Sequence, residues 1–248
     1  MNILEKIIAT NREALNEYAL PERRRAVRNK CFANNLSRDG FNVIAELKKA
    51  SPSKGLIREK FLPLELAKDL ENSGAAALSV LTEQFYFKGS LEYLEIVAEE
   101  VSIPILRKDF IFDEFQIKEA AAFGADAILL IAAALSEDTF KRLLDAAFEA
   151  DLEVLTEVHT MAELDFVLTT DAEVIGINSR NLKTFKTDLE LTKKMLSSIP
   201  DDKVKVAESG IFNHSDLVEL REQGANAFLI GEALMRAESP GQRLKELL

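Results

Sequence analysis

The sequence predicts an α/β protein, a (β/α)8 TIM barrel with an N-terminal helical extension. Three observations carry this prediction. From about residue 42, a unit of apolar strand, loop, amphipathic helix and small-residue turn recurs eight times. No change of composition marks a linker between these units. The length of 248 residues is also typical of one such barrel. Because strands alternate with helices, the sheet should be parallel, with right-handed crossovers.

The first part of the chain precedes the repeating units and is helix-like. Ile3, Leu4, Ile7 and Ile8 recur at helical spacing within residues 1–38. Pro21 then opens a basic segment, Arg23 to Arg28, which we interpret as a solvated helix face. We therefore expect one domain over residues 1–248, of which 1–41 form the helical extension.

The eight predicted strands are short apolar runs, many with β-branched members, as expected for a sheet buried on both faces. They lie at 43–47, 77–81, 103–107, 127–131, 153–157, 173–177, 204–207 and 227–230. Helices are predicted at 63–73, 90–100, 113–123, 136–150, 160–170, 188–198, 213–223 and 241–248. Three helix-to-strand turns share a Gly-Ala pair at Gly74, Gly124 and Gly224. Glycine there can take the left-handed conformation that ends a helix.

Composition excludes several classes of partner. A formal net charge of −11 argues against nucleic acid or an anionic membrane surface as the main partner. Cys31 is the only cysteine, so no intrachain disulfide can form and a cytoplasmic location is expected. His159 and His214, with that one cysteine, are too few for a zinc site of the usual kind. No signal peptide and no apolar run of membrane-spanning length is visible.

The first predicted strand organises the chemistry. Glu46 and Lys48 lie on one face of it, since strand side chains alternate with period two. A carboxylate and an ammonium on a buried strand need each other, because an unpaired buried charge is costly. The strand then opens into a polar loop over residues 51–61, which we expect to be mobile and to close over an anionic ligand. Lys54 and Arg58 would be drawn to the charge of that ligand.

Ionisable and polar residues also follow other predicted strands, where a barrel of this class places its active site. Strand three ends in Lys108-Asp109 and strand five in Glu157. Strand six runs into Asn178 to Asn181, which includes Arg180. Strand seven ends in Glu208-Ser209-Gly210 and strand eight in Gly231-Glu232. The first strand adds its Glu–Lys pair. Three negative and three positive side chains would thus converge on one mouth, which predicts a functional site. The glycines after strands seven and eight, Gly210 and Gly231, favour a phosphate site on backbone N–H groups.

These motifs give the chain a family resemblance. Residues 44–53, Ile-Ala-Glu-Leu-Lys-Lys-Ala-Ser-Pro-Ser, resemble the signature of indole-3-glycerol-phosphate synthase. Four further blocks match in order, at 106–110, 155–158, 175–182 and 207–211. Ser179, where many members carry Asn, and the loop at 83–87 depart from the family pattern. The resemblance covers essentially the whole chain.

The resemblance implies a carbon–carbon lyase of tryptophan biosynthesis. Its substrate, 1-(2-carboxyphenylamino)-1-deoxyribulose 5-phosphate, closes to a pyrrole ring with loss of CO₂ and water, without a metal or organic cofactor. Lys108 is implied as general acid, with Glu46 and Glu157 in dehydration and Lys48 assisting. The remaining implied site residues are Asn178 and Arg180 for the anthranilate part, Glu208 and Ser209 to complete the pocket, and Ser51, Gly210 and Gly231 for phosphate. Phe110 and Phe87 are expected in the apolar wall of the pocket. Phe85 has two interpretations: it belongs either to this wall or to the core. Glu232 is expected to contribute its backbone only.

Two other interpretations compete with this one. A barrel isomerase such as phosphoribosylanthranilate isomerase would favour a Cys/Asp pair at strand ends one and five, where Glu46, Lys48 and Glu157 stand instead. A phosphate-binding scaffold on a degenerate barrel would lack at least one charged strand end, and none is missing. We expect a monomer that acts on a phosphorylated small molecule and binds neither nucleic acid nor membrane.

Overall fold

Eight parallel strands close into a barrel in a computed structural model that describes residues 3–22, 31–178 and 189–248. Each strand pairs with the strands before and after it in the chain, and the first pairs with the last. The strands are β1 Asn42–Leu47, β2 Ala77–Leu81, β3 Ile105–Lys108, β4 Ala127–Ile131, β5 Glu153–Val158, β6 Val174–Asn178, β7 Val204–Glu208 and β8 Ala227–Ile230. The predicted (β/α)8 barrel is therefore confirmed.

Two helices in the described part of the chain precede the barrel, and the others follow its strands around the outside. The helices are α1 Ile3–Ala14, α2 Cys31–Leu36, α3 Pro63–Asn72, α4 Leu91–Glu100, α5 Glu114–Ala122, α6 Glu137–Glu149, α7 Met161–Val167, α8 Leu189–Ser198, α9 His214–Glu222, α10 Glu232–Met235 and α11 Pro240–Leu247. Several begin at a side chain that accepts a backbone N–H of the first turn, which satisfies donors that a helix leaves unpaired. These capping residues are Ser90, Asp113, Ser136, Thr160, Asn213 and Ser239.

Two apolar cores hold the fold together. One fills the barrel interior with side chains such as Ile44, Leu106 and Val206, and it is closed from below by Phe32 and Leu36 of α2. The other lies between the strands and the surrounding helices. Along each strand, inward and outward side chains alternate. This alternation brings selected residues of the upper barrel to the mouth.

Strand and helix boundaries differ from the predictions by a few residues. The third strand begins at Ile105 rather than at residue 103, because Pro104 has no N–H to donate to the ladder. The Gly-Ala turns behave as expected: Gly74, Gly124 and Gly224 all have φ between 87° and 99°. No helix in the described ranges combines the length and apolar character needed to cross a bilayer.

The N-terminal extension contacts both ends of the barrel. Helix α1 lies at the mouth, where Leu4 and Ile7 are buried. Helix α2 lies at the opposite end, where the backbone N–H groups of Phe32 and Ala33 donate to the Glu153 carboxylate at 2.7 and 2.8 Å. Residues 15–22 form no regular secondary structure, so the expected helical character is wrong for them. The basic segment Arg23 to Arg28 lies outside the described residues.

Candidate active site

A pocket opens at the carboxyl ends of the barrel strands. Its lining includes twelve of the thirteen side chains or glycines selected from the sequence: Glu46, Lys48, Ser51, Lys108, Phe110, Glu157, Asn178, Glu208, Ser209, Gly210, Gly231 and Glu232. The thirteenth, Arg180, lies outside the described residues. Period two explains the convergence, since Glu46 follows the inward-facing Ile44, and Glu208 follows the inward-facing Val206.

Glu46 and Lys48 form a buried ion pair at the end of β1. The Lys48 ammonium donates to Oε2 of Glu46. Burial alone would raise the pKa of Glu46, but the positive charges of Lys48 and Lys108 outweigh it, so the pKa of this carboxyl is lowered. Glu46 therefore stays ionised, and the expected pairing of the two charges is present.

Lys108, at the end of β3, is surrounded by carboxylates. Its Nζ atom lies 2.9 Å from Oε2 of Glu208 and 3.4 Å from Oε2 of Glu157. Burial disfavours the ammonium, but Glu208, Glu157 and Glu46 together raise the pKa of Lys108 far above its ordinary value. Lys108 is thus protonated at neutral pH and places a positive charge in the middle of the pocket.

The two carboxylates beside Lys108 differ in their pKa. Burial, together with the charge of Glu157, outweighs the opposing charge of Lys108 and raises the pKa of Glu208 to about 7. Burial also acts on Glu157, but Lys108 and His159 overcome it, so its pKa is strongly lowered. Two neighbouring carboxyls whose environments separate their pKa values are suited to different roles: Glu208 can exchange a proton near neutral pH, and Glu157 is ionised there.

Glycine at position 176 makes room for Glu208. A Cβ atom at Gly176 on β6 would collide with Oε1 of Glu208. That oxygen is buried and accepts no hydrogen bond from the described residues. One oxygen of Glu208 is therefore committed to Lys108, and the other is available to a ligand group or a proton.

A chain of side-chain hydrogen bonds links the ends of three strands. Nδ2 of Asn178 donates to Oε1 of Glu157 at 3.1 Å. The hydroxyl of Ser209 donates to Oδ1 of Asn178 at 2.9 Å. Ser209 has a φ of 65°, which a residue with a side chain rarely adopts, and its neighbour Gly210 has a φ of 76°. The hydrogen bond to Asn178 helps to hold this left-handed turn against the end of β6.

The loops after β1 and β8 meet across the pocket rim. Oε1 of Glu232 lies 2.9 Å from Nε of Arg236 and 3.5 Å from Nζ of Lys54. Burial would raise the pKa of Glu232, but these two cations lower it. The guanidinium of Arg58 donates to the carbonyl oxygens of Met235 and Ala237 at 3.1 and 2.8 Å. Arg58 is therefore engaged at the end of α10 before any ligand is present.

Aromatic side chains form part of the pocket wall. The rings of Phe87 and Phe110 lie 6.0 Å apart, and both line the pocket. Phe85, by contrast, is 55% exposed, so it is neither in the core nor in the wall. The reason lies in the loop after β2, where the Glu83 carboxylate accepts the backbone N–H groups of residues 85, 86 and 87. This tight turn directs Phe87 to the pocket and leaves Phe85 in solvent.

Sequence reasoning missed two parts of the site. Ile3, Leu4 and Ile7 of the extension line the pocket, although their spacing predicted only a helix. His159 lies directly behind Glu157, with Nε2 at 3.1 Å from Oε1 of that carboxylate. The sequence does contain a sign of this contact: His159 stands two residues after Glu157, and side chains two apart in an extended chain lie on the same face.

The whole chain matches known sequences. A family model described as indole-3-glycerol phosphate synthase matches residues 4–247. A relative of that name from Campylobacter fetus subsp. fetus (strain 82-40) is 52% identical over 210 residues, 85% of this chain and 81% of the relative. Another of that name, from Polaromonas sp. (strain JS666 / ATCC BAA-500), is 44% identical over 258 residues, 99% of this chain and 98% of the relative.

Solved structures add a comparison of fold alone. A 3-hexulose-6-phosphate synthase superposes with a TM-score of 0.68 at 16% identity, covering 84% of this chain and 98% of its own. A thiamine phosphate pyrophosphorylase from Pyrococcus furiosus superposes with a TM-score of 0.63 at 17% identity, covering 87% and 95%. At such low identity these likenesses concern the barrel architecture and carry no argument about the reaction.

Proposed function

The chain belongs to the indole-3-glycerol phosphate synthase family, and from this premise we propose how its residues divide the work of the reaction. The enzyme is a carboxy-lyase of tryptophan biosynthesis that acts on a phosphorylated small molecule. It closes 1-(2-carboxyphenylamino)-1-deoxyribulose 5-phosphate to indole-3-glycerol phosphate, with loss of CO₂ and water. The observation that carries our assignment is the position of Lys108 Nζ between the carboxylates of Glu208 and Glu157.

Lys108 acts in ring closure. A bond forms between the carboxylate-bearing ring carbon of the substrate and its ketone carbon, and negative charge develops on the ketone oxygen. The Lys108 ammonium stabilises that oxygen and protonates it to a hydroxyl. CO₂ then leaves, and the electron pair of the broken bond restores the aromatic ring. Burial of the site favours this step, because the substrate carboxylate loses its hydration.

Glu208 returns the proton to Lys108. Its pKa of about 7 suits an acid that exchanges protons near neutral pH, whereas the pKa of Lys108 is too high for rapid exchange with water. Oε2 of Glu208 is within hydrogen-bond distance of Nζ, and Oε1 has no partner among the described residues. This arrangement supports a proton transfer between the two side chains.

Dehydration needs a base and an acid. The base removes a proton from the carbon beside the new hydroxyl, and the acid protonates that hydroxyl as it leaves as water. Glu157, whose lowered pKa keeps it ionised, takes the first role. Glu46 and Lys48 on β1 share the second role: the Lys48 ammonium, held at the pocket by its ion pair with Glu46, gives its proton to the leaving hydroxyl. No metal or organic cofactor enters this scheme.

The remaining site residues bind and orient the substrate. Asn178 and Arg180 position the anthranilate part, and Phe110 with Phe87 covers its ring. Ser51 and the backbone N–H groups at Gly210 and Gly231 take the phosphate. Ser209 supports Asn178, and Glu232 contributes through its backbone. We further propose that the chain acts as a single-domain monomer in the cytoplasm.

A product assay tests the function directly. Purified protein is mixed with the substrate, and the fluorescence of the new indole ring is followed together with released CO₂. We expect one CO₂ for each indole formed. An analogue in which the ketone is reduced to an alcohol should bind and inhibit but yield no product, since no carbonyl remains to be attacked. If the substrate binds but no indole appears, the proposed function is wrong.

A further inference from the structure

His159 is buried between two carboxylates just beyond the end of β5. Its side chain is 10% exposed, with Nε2 at 3.1 Å from Oε1 of Glu157 and Nδ1 at 3.6 Å from Oε2 of Glu163. Both ring nitrogens are thus within ion-pair distance of a carboxylate, one on each side of the ring. The backbone N–H of His159 also donates to Oε2 of Glu163 at 2.7 Å. The ring is therefore fixed from both sides.

The two oxygens of Glu157 have different surroundings. Oε1 contacts His159 and Nδ2 of Asn178, and Oε2 contacts Nζ of Lys108. Glu157 lines the pocket, whereas the part of the lining that the structure describes does not include His159. His159 thus cannot act on a substrate directly and acts through Glu157.

We propose that His159 is a positioning residue for the reaction: from between Glu157 and Glu163 it fixes the orientation of the Glu157 carboxylate and supplies part of the positive charge that keeps it ionised. The inference rests on the role of Glu157 in the proposed function. Its structural part, a buried imidazolium between two carboxylates, can be tested without any turnover.

The charges around the ring support this role. Burial would lower the pKa of His159, but Glu157 on β5 and Glu163 on α7 raise it to about 10. The ring is then positively charged at neutral pH. The other charged groups near Glu157 are Lys108 on β3, Glu208 on β7 and Glu46 on β1. Of the five groups around Glu157, three are carboxyls, and the positive charge comes from His159 and Lys108.

The first test compares His159→Gln with His214→Gln. Glutamine at 159 keeps a polar side chain of similar reach but removes the charge. His214 is a matched control, since its Nδ1–H donates to the carbonyl oxygen of Leu247 at 2.7 Å and the described pocket lining does not include it. We expect kcat to fall about tenfold in His159→Gln with KM nearly unchanged, because the Glu157 carboxylate is no longer held in its orientation. His214→Gln should match wild type in both constants.

A folded His159→Gln with the kcat of wild type would overturn the proposal. Glu163→Gln provides a second variant if His159→Gln does not fold. It keeps an acceptor for the backbone N–H of His159 and removes the negative charge on one side of the ring, so kcat should fall by a smaller amount. An unchanged kcat in this variant would likewise count against the proposal.

The second test uses NMR on untagged protein labelled at histidine, which contains only two histidines. We expect the ring signals of His159 to remain those of an imidazolium at pH 8, and its titration to move to lower pH in Glu163→Gln. A neutral His159 ring at pH 7 would refute the proposal. Because this readout needs no substrate, it separates the two failures: absence of indole product removes the proposed function and leaves the titration result standing.

Discussion

The carboxylate of Glu46 occupies the space in which a side chain at Gly231 would lie. A Cβ atom at 231 would collide with Oε2 of Glu46 and come within 2.9 Å of the Lys48 ammonium. The two positions are brought together because β1 and β8 are neighbours that close the barrel, with Ala45 opposite Ile230. The absence of a side chain at Gly231 therefore leaves space for the Glu46–Lys48 pair, in addition to any contact of its backbone with phosphate.

Gly231→Ala should reduce turnover as well as substrate binding. A methyl group must displace the Glu46 carboxylate, and with it the ammonium of Lys48. We expect kcat to fall at least about tenfold, since misplacement of a catalytic group by 1 Å can cost about a hundredfold. Steady-state kinetics measure the split between kcat and KM, and circular dichroism checks the fold.

A double-mutant cycle identifies the cause. If the collision with Glu46 is the main effect, Gly231→Ala should cost much less in a Glu46→Ala background, because the carboxylate is gone. Additive effects on kcat would show that the methyl group acts elsewhere. A change confined to KM would favour a role of Gly231 in phosphate binding alone.

Lys108→Ala should lose at least about a hundredfold in kcat while retaining the fold, the usual scale for removal of a general acid. Lys68→Ala is a matched control, because Lys68 forms an exposed ion pair with Glu100 and should leave kcat unchanged. If Lys108→Ala keeps more than about a tenth of wild-type turnover, the acid role moves to Lys48.

Much of the candidate site could be predicted from local sequence patterns. Glu46 and Lys48 share a face because strands have period two, and Lys108 and Glu157 lie at strand ends where a barrel of this class gathers its functional groups. These inferences need only the order of residues along one strand and the topology of the sheet. The roles of these residues remain predictions until the variants are measured.

Other features depend on contacts between distant strands. The need for glycine at 231 follows from the position of Glu46, 185 residues earlier in the chain. The placement of α1 over the mouth, where Leu4 and Ile7 line the pocket, follows from tertiary packing that helical spacing does not specify. Residues 15–22 are mostly exposed and irregular, and a long-range hydrogen bond that no local pattern specifies, from Tyr18 to Glu119 of α5 at 2.7 Å, attaches them to the rest of the protein.

Glu208→Gln should change the pH dependence of stability. Because the pKa of Glu208 is raised in the folded protein, from an ordinary 4.5 to about 7, the folded state binds this proton more tightly than the unfolded state. The stability that this gives is complete below about pH 4.5 and is lost as the pH rises through 7. Glutamine does not titrate, so Glu208→Gln does not lose this stability. The free energy of unfolding of the variant minus that of wild type should therefore increase between pH 5 and 8, by up to about 3 kcal/mol.

Urea unfolding at several pH values measures this difference. Glu46→Gln is the control, because the pKa of Glu46 is lowered in the folded protein. The stability from Glu46 is present above its ordinary pKa and is lost only as the pH falls below it. The difference in free energy of unfolding between Glu46→Gln and wild type should therefore stay constant from pH 5 to 8. A flat offset for Glu208→Gln as well would contradict the raised pKa of that carboxyl.

The loop after β1 should close over the substrate, with Arg58 as its anchor and Lys54 as its moving charge. This divides the roles that the sequence assigned to both residues together. The Arg58 guanidinium already donates to the carbonyl oxygens of Met235 and Ala237. The backbone N–H groups of Ile57 and Arg58 donate to the carbonyl oxygen of Lys49. Lys54 is 44% exposed, and its 3.5 Å contact with Glu232 is of a kind that contributes little.

Hydrogen exchange distinguishes the two residues. In wild type, amides from 54 to 60 should exchange more slowly once a substrate analogue is bound, since closure excludes water from the site. Arg58→Ala should speed their exchange in the free protein, because the loop loses its attachment to the end of α10. Lys54→Ala should leave the free protein nearly unchanged but weaken the slowing by ligand. Unchanged exchange at saturating analogue would show that the loop is no lid, and unaltered free-state exchange in Arg58→Ala would show that the guanidinium is no anchor.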